Sequence, residues 1–341
     1  MSTTVLVSGA SGFIAQHVVK ALLDKNYNVV GTVRSAAKGD NLVELFADKK
    51  FSYEIVADIG AEGAFDQALK NHPEVTVFLH TASPFHFQVT DIEKELLLPA
   101  INGTKNALSS IKKYGPQVTN VVVTSSYAAM FTFSREGDNT LVNSEESWNP
   151  VTWEESLANP LIGYCASKAF AEKAAWEFLE KEKPNFKLTT VNPSYVFGPQ
   201  AFASSIGDLI NTSSEILYSF LKLKAGDDVP EHMGKFADVR DVADAHLVAF
   251  EKPEAAGQRL LLSSESFVTQ SILNILNEEF PSLRGKIPVG APETVEEQLV
   301  SSSKIDNEKT RDLIGKPLIG LRESVVDSIE QILSVKKNLH D

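Results

Sequence analysis

The spacing of apolar residues changes period several times along the chain, and each change predicts an element. Thr3 to Val7 is a short β-rich run. It ends in Gly9-Ala10-Ser11-Gly12-Phe13-Ile14-Ala15, after which Val18, Val19, Leu22 and Leu23 recur at helical spacing, so strand, glycine turn and helix follow in order. Further β-rich runs lie at Asn28 to Val33, Ser52 to Ala57, Val75 to His80, Asn120 to Ser125 and Lys187 to Asn192, with segments long enough for helices between them. Alternation of this kind predicts an α/β fold with a doubly wound parallel sheet. Ligands of such sheets lie outside the carboxyl ends of the strands.

Beyond Pro199 the alternation weakens. Gln200 to Val229 reads as largely helical, with Ile206, Leu209, Ile210, Ile216, Leu217 and Phe220 at the apolar positions. Phe236 to Phe250 resumes a strand-and-helix pattern and is expected to return to the sheet, while Gln258 to Pro292 and the C-terminal helices enlarge the second unit. The expected organisation is a Rossmann-type domain over residues 1–199 plus 236–257, and a smaller, mostly helical substrate lobe over 200–235 plus 258–341.

Composition narrows the partners. The 341 residues, 43% of them hydrophobic, suffice for a sizeable core. A formal net charge of -13 speaks against nucleic acid and against polybasic attachment to a membrane, so an anion must be held at a local site. One cysteine cannot form an internal disulfide, and Met-Ser-Thr-Thr runs straight into Val5-Leu6-Val7 without a signal-peptide pattern. No apolar run approaches the ~18 residues of a spanning helix. A cytoplasmic setting is expected. None of the seven histidines pairs with another histidine or the cysteine at ligand spacing, so no metal is expected. A nucleophile elbow is missing as well, and Cys165 reads as packing.

Candidate chemistry gathers at the predicted strand ends: Gly9 and Gly12 after strand one, Arg34 after two, Asp58 after three, Thr81-Ala82-Ser83 after four, Ser126 after five and Pro193 after six. A glycine turn that opens a helix lets backbone approach a diphosphate, and the helix N-terminus offers unpaired amides. The spacing Gly9-x-x-Gly12 followed by Ala15 departs from G-x-G-x-x-G, and a tight turn without a ligand would look the same. The residue after strand two selects the nicotinamide cofactor, an acid binding the ribose diol and an arginine the 2'-phosphate. Here the chain reads Thr32-Val33-Arg34-Ser35-Ala36-Ala37-Lys38, with no carboxylate before Asp40. Arg34 offers a planar fork and Lys38 a point charge, so NADPH is expected rather than NADH. Asp58-Ile59 offers an adenine a carboxylate and an apolar wall, or else caps a helix. Thr81, Ala82 and Ser83 are small where a cofactor would pass, and His80 reads as packed.

Ser126 carries a hydroxyl to the sheet edge, where it can bind a carbonyl oxygen. Its neighbour Ser125 has nearly the same chemistry, and only the alternation of strand faces and the family pattern given below separate them. Asn159-Pro160 is a helix start, with asparagine as N-cap, and it puts Tyr164 and Lys168 on one face, four residues apart. Free tyrosine titrates near about 10, and an adjacent ammonium is expected to lower that value. Hydride transfer to a carbonyl carbon, with Tyr164 delivering the proton, is the chemistry such a set would perform.

Gly9-x-x-Gly12-x-x-Ala15, Ser126 and Tyr164-x-x-x-Lys168 together resemble the extended short-chain dehydrogenase/reductase family. Asn102-Gly103-Thr104-x-Asn106, Thr124-Ser125-Ser126, Asn192-Pro193-Ser194-Tyr195-Val196-Phe197-Gly198-Pro199 and Asp238-Val239-Arg240-Asp241-Val242-Ala243 resemble its dihydroflavonol-reductase-like branch. The resemblance implies that Gly9, Ala10, Ser11, Gly12, Phe13, Ile14, Arg34, Lys38, Asp58, Ile59, Tyr164, Lys168, Val196, Phe197, Gly198, Pro199 and Ser213 contact NADPH. It also implies that Ser126, Tyr164 and Lys168 are catalytic. Phe85, Tyr127, Phe131 and Ile162 are expected, on position and size, to line an apolar substrate pocket. The implied activity is NADPH-dependent reduction of aldehydes, ketones and α-dicarbonyls, with a small-molecule carbonyl as partner and a monomer or homodimer both open. A dihydroflavonol or cinnamoyl-type reductase remains an alternative. Arg34 speaks against a sugar-nucleotide epimerase that retains NAD, and the intact Tyr-Lys pair against a non-catalytic NADPH sensor.

Overall fold

The structure, a computed structural model, describes residues 3–83, 89–206 and 212–336. Twelve strands occur among them: β1 (Thr4–Ser8), β2 (Asn28–Val33), β3 (Phe51–Ile55), β4 (Val75–His80), β5 (Asn120–Thr124), β6 (Val142–Ser144), β7 (Lys187–Pro193), β8 (Tyr195–Phe197), β9 (Met233–Asp238), β10 (Arg259–Leu262), β11 (Glu265–Val268) and β12 (Lys304–Asp306). Seven form one parallel sheet in the order β10-β7-β5-β4-β1-β2-β3. The expected α/β, Rossmann-type doubly wound sheet is present, and all six runs read from the sequence are in it.

Helices cover both faces of this sheet, which is why its central strands β1, β4 and β5 are nearly continuous apolar runs. Alternation along each strand divides the core in two. Val5, Val7 and Val122 pack with the helices Phe13–Asp24 and Val239–Glu251. Leu6, Val121 and Val123 turn the other way, toward the helix Leu98–Tyr114 and its neighbour Pro160–Glu182. Burying a valine or leucine fully contributes about 1.5–3 kcal/mol, so both faces hold the sheet in place. Among the described residues no helix is long and apolar enough to cross a membrane.

The expected return of Phe236–Phe250 to the large sheet is corrected for its strand. The strand that resumes the pattern, β9, does not join the large sheet. It pairs with β8 and β11 in a three-stranded sheet of its own, and β10, just past the expected boundary at residue 257, supplies the seventh large-sheet strand. The physical reason is the side chains of the small sheet: Phe236, Phe197 and Phe267 are fully buried against one another, with the helices Thr212–Lys222, Thr269–Glu279 and Leu321–Val335 around them. Only the helix after β9 returns, packing beside Phe13–Asp24.

The two sheets are joined twice by short crossings. Ser194 alone separates β7 from β8, and Ser263-Ser264 separate β10 from β11. Ser194 is fastened across the two joints, its N–H and its Oγ both donating to Leu262 O at 3.0 Å.

Candidate active site

The turn after β1 is shaped for close approach. Gly9 has φ +66, and a Cβ there would lie 3.0 Å from the Ala82 Cβ, so both conformation and space call for glycine. Hydrogen bonds tie this turn to the end of β4: Ser8 Oγ meets His80 Nδ1 at 3.0 Å, Ala82 N donates to Ser8 Oγ at 3.0 Å, and Thr81 Oγ1 donates to Ser8 O. Burial pushes the buried His80 down to about 4, so it stays neutral and packed. The helix Phe13–Asp24 begins at Gly12 with no side-chain cap, which leaves first-turn N–H groups for an anion. Ala10 is turned away from the edge. Its methyl is fully buried in the core and its N–H donates to Thr32 O at 2.9 Å.

Arg34 and Lys38 are exposed at the end of β2. The chain has seven arginines, and six are bonded within the protein. Arg34 is the seventh, and among the described residues neither its side chain nor that of Lys38 has a hydrogen bond or ion pair. Asp58 closes a turn, Oδ1 accepting from Gly60 N at 2.8 Å, and Ile59 lies over Gly103. These four residues occupy the β2–β3 end of the sheet edge.

Ser126 and Tyr164 meet at the end of β5. Ser126 Oγ accepts from Ala128 N at 3.1 Å, capping a short turn, and lies 3.5 Å from Pro193 O, and both Ser126 and Tyr164 line one cavity. Tyr164 stands on the helix Pro160–Glu182, which starts where Asn159 Oδ1 accepts from Leu161 N and Ile162 N at 3.0 Å. Lys168, one turn on, donates to Ser83 Oγ at 2.8 Å, with Nζ 5.6 Å from the centre of the Tyr164 ring.

Electrostatics here run opposite to the sequence expectation. Burial dominates and raises the Tyr164 phenol, Ser126 opposing it, and Lys168 is not among the groups that shift it. Lys168 itself is pushed by burial down to about 8. Both shifts have one cause, since a low-dielectric site disfavours whichever form is charged. Cys165 beside them is buried and pushed up to about 12, which leaves an unreactive thiol that packs.

Behind this trio lies a buried carboxylate that the sequence reading missed. Glu172, four residues after Lys168, accepts from Ser125 Oγ at 2.5 Å, Asn192 Nδ2 at 2.6 Å and Arg259 Nε at 2.5 Å. Asn192 Nδ2 also reaches Ser126 O at 3.2 Å. The Ser125 hydroxyl is thereby engaged by Glu172, and Ser125 and Ser126 both line the cavity. Four-residue spacing from Tyr164 through Lys168 to Glu172 was the available signal.

A cavity of about 520 Å³ opens over these groups, within the usual range for small-ligand sites. Of the expected residues, Gly12, Phe13, Ile14, Thr81, Ser83, Ser126, Tyr164, Lys168, Pro193, Val196 and Ser213 line it, and so do Tyr127 and Phe131, whose rings stack 4.3 Å apart. Ile162 does not; Leu161 does, because Leu161 is one turn from Tyr164 and Ile162 faces elsewhere on the helix. Phe197 is also corrected, its ring being fully buried in the small-sheet core. Gly198 has φ +122 and packs against Val239 and Asp238, while Pro199 O is bonded to His17 Nε2 at 2.9 Å. Phe85 lies outside the described residues. Tyr195, Met233, Glu136 and Lys235 also line the cavity and were not foreseen. No group of three or more potential metal-ligating side chains occurs among the described residues.

Comparison with known proteins agrees with this geometry. The model of the NAD dependent epimerase/dehydratase family matches residues 5–262. The chain is 50% identical over 335 residues to the NADPH-dependent methylglyoxal reductase of Saccharomyces cerevisiae, covering 97% of this chain and 98% of that protein. The crystal structure of yeast methylglyoxal/isovaleraldehyde reductase with NADPH superposes with a TM-score of 0.96 at 49% identity, over 98% of this chain and 99% of the other. A Candida albicans protein, Gre2, solved with NADPH, gives 0.96 at 54% identity over 98% and 99%. Matched from the first strand into the seventh strand of the large sheet, and by these relatives almost end to end, the chain belongs to the NAD dependent epimerase/dehydratase family, within the extended short-chain dehydrogenases/reductases.

Proposed function

We infer that the chain is an NADPH-dependent carbonyl reductase that converts aldehydes, ketones and α-dicarbonyls, such as methylglyoxal or 3-methylbutanal, to alcohols. The observation that carries the reading is that Ser126, Tyr164 and, one turn on, Lys168 line one cavity whose wall includes Gly12 and the helix start beyond it. The yeast relatives named above as reductases support it.

The residues fit the cofactor. The turn at Gly9 and the uncapped helix start suit a diphosphate, and Arg34, exposed and without a partner among the described residues, suits a 2'-phosphate, with Lys38 beside it. Asp58 and Ile59 would flank the adenine, and Lys168 and Ser213 the nicotinamide half. When bound, NADPH supplies a hydride.

Everything else falls to side chains. Ser126 holds the carbonyl oxygen, and Tyr164 gives that oxygen its proton as negative charge develops there. The raised phenol keeps its proton at neutral pH, which suits reduction. Lys168 and Ser83 hold the helix face against the end of β4. Tyr127, Phe131, Leu161 and Tyr195 keep water from the reacting centre. A reducing, cytoplasmic setting belongs to the proposal, and the lone cysteine, free and buried, fits it. The test is loss of NADPH absorbance with methylglyoxal and 3-methylbutanal; no turnover across a panel of carbonyls would sink the reading.

A further inference from the structure

The cavity wall carries a charged pair that the reduction does not use. Lys235 of β9 and Glu136, from the segment between β5 and β6, both line the cavity and are joined by Nζ–Oε1 at 2.9 Å. Their side chains are enclosed, 2% and 11% exposed. Lys235 Nζ also donates to Ser302 Oγ, which bonds Glu136 Oε1 at 3.2 Å. Ser303 Oγ donates to Glu136 Oε2 at 3.3 Å.

An ammonium has three N–H donors, and Lys235 uses two of them among the described residues. Among the described residues Glu136 Oε2 is met only by the long bond from Ser303. Buried ion pairs stabilise proteins little compared with apolar side chains of similar volume, and buried polar groups are normally satisfied. Here two desolvated ions still have one donor and one acceptor valence unused among the described residues, on side chains that form the cavity wall.

Building on the carbonyl-reductase reading, we propose that Lys235 and Glu136 are a recognition subsite for a second, uncharged oxygen function of the substrate, a hydroxyl, ester or further carbonyl beyond the one reduced. The pair's charge sets the class. It is neutral overall, so a carboxylate tail meets repulsion from Glu136 along with attraction to Lys235. A neutral oxygen accepts from Nζ, and a hydroxyl can also donate to Oε2. Tyr127, Phe131, Tyr195 and Met233 take the carbon chain between the two polar ends.

The test uses the full chain, saturating NADPH and two ketones of equal length, one ending in methyl and the other in a hydroxyl or methyl ester. The wild type is expected to prefer the oxygen-bearing ketone by about tenfold in kcat/KM, the size of one net hydrogen bond. In the paired variant Glu136→Gln/Lys235→Met, which leaves no lone buried charge, that ratio falls to near one. Equal kcat/KM for the two ketones in the wild type overturns the subsite, leaves the reductase reading intact, and requires no variant to fold. A preference that persists in the paired variant, as when an ordered water alone fills the two valences, overturns it too. Failure to oxidise NADPH with either ketone or any other carbonyl overturns both readings.

Discussion

Ser126 and Tyr164 line the same cavity, one from the end of β5 and the other from the helix Pro160–Glu182, and Ser126 opposes the rise of the Tyr164 phenol. One carbonyl oxygen can therefore be held by both. Removing the proton donor in Tyr164→Phe is expected to lower kcat by about 10³, and Ser126→Ala by about 10², the range for positioned acid–base groups. NADPH binding, followed by fluorescence titration, should change little in Ser126→Ala. Turnover unchanged in Tyr164→Phe would falsify the assignment.

Lys168 links activity to pH. Its folded-state value is lowered to about 8, so the ammonium is present below that pH and lost above it. The profile of kcat/KM for NADPH, which reports the free enzyme, is expected to fall as pH rises through about 8. Lys168→Met should remove that alkaline limb, and a limb left in place would assign it to another group.

Cofactor choice should rest on Arg34. A charge-assisted, planar contact to phosphate contributes about 1.5–3 kcal/mol, so Arg34→Ala is expected to raise the KM for NADPH by about 30-fold. The KM for NADH, which lacks the phosphate, should hardly move. Equal losses for both cofactors would place Arg34 away from the 2'-phosphate.

Glu172 is expected to matter for stability more than its distance from the cavity implies. Glu172→Ala leaves the buried Arg259 without its carboxylate and frees Ser125 and Asn192. Breaking a buried pair in this way costs about 3–5 kcal/mol, measurable as a lower urea midpoint. A shift near zero would mean that water replaces the carboxylate.

Two buried histidines predict acid sensitivity. His80 and His246 are both pushed down to about 4 by burial, and His246 is held by Val242 O and Thr124 Oγ1, each at 2.7 Å. The unfolded chain takes up their protons first, so this stability is fully present above about pH 6.5 and declines as pH falls toward 4, by up to about 3 kcal/mol for each. His246→Gln should flatten the dependence of the urea midpoint on pH between 7.5 and 5; an unchanged slope would assign the effect elsewhere.

What could be read from the sequence follows from range of interaction. Strands β1, β4 and β5 are legible because strands covered on both faces must be apolar almost throughout, and β2, β3 and β7 because they are rich in β-branched and aromatic residues. Whether β9 joins the large or the small sheet is invisible, since a strand followed by a helix has the same local pattern in either. Ser126 was preferred to Ser125 on alternation, which is local, together with the family pattern. Leu161 was equally accessible from helix phase, and Ile162 was chosen on size instead. The pair Glu136 and Lys235 had no signal at all, since residues so far apart in sequence meet only through the fold. The sign of the Tyr164 shift was misjudged because a neighbouring charge can be read from spacing, whereas burial cannot.

Ser194 and Ser263-Ser264 carry the chain between the sheets on adjacent strands, fastened to each other through Leu262. Two parallel joints resist rotation that a single joint would allow, and neither core can loosen without pulling strands from the other sheet. The two cores should therefore melt together, giving one calorimetric transition whose van't Hoff and measured enthalpies agree, in a molecule whose layout would otherwise suggest two.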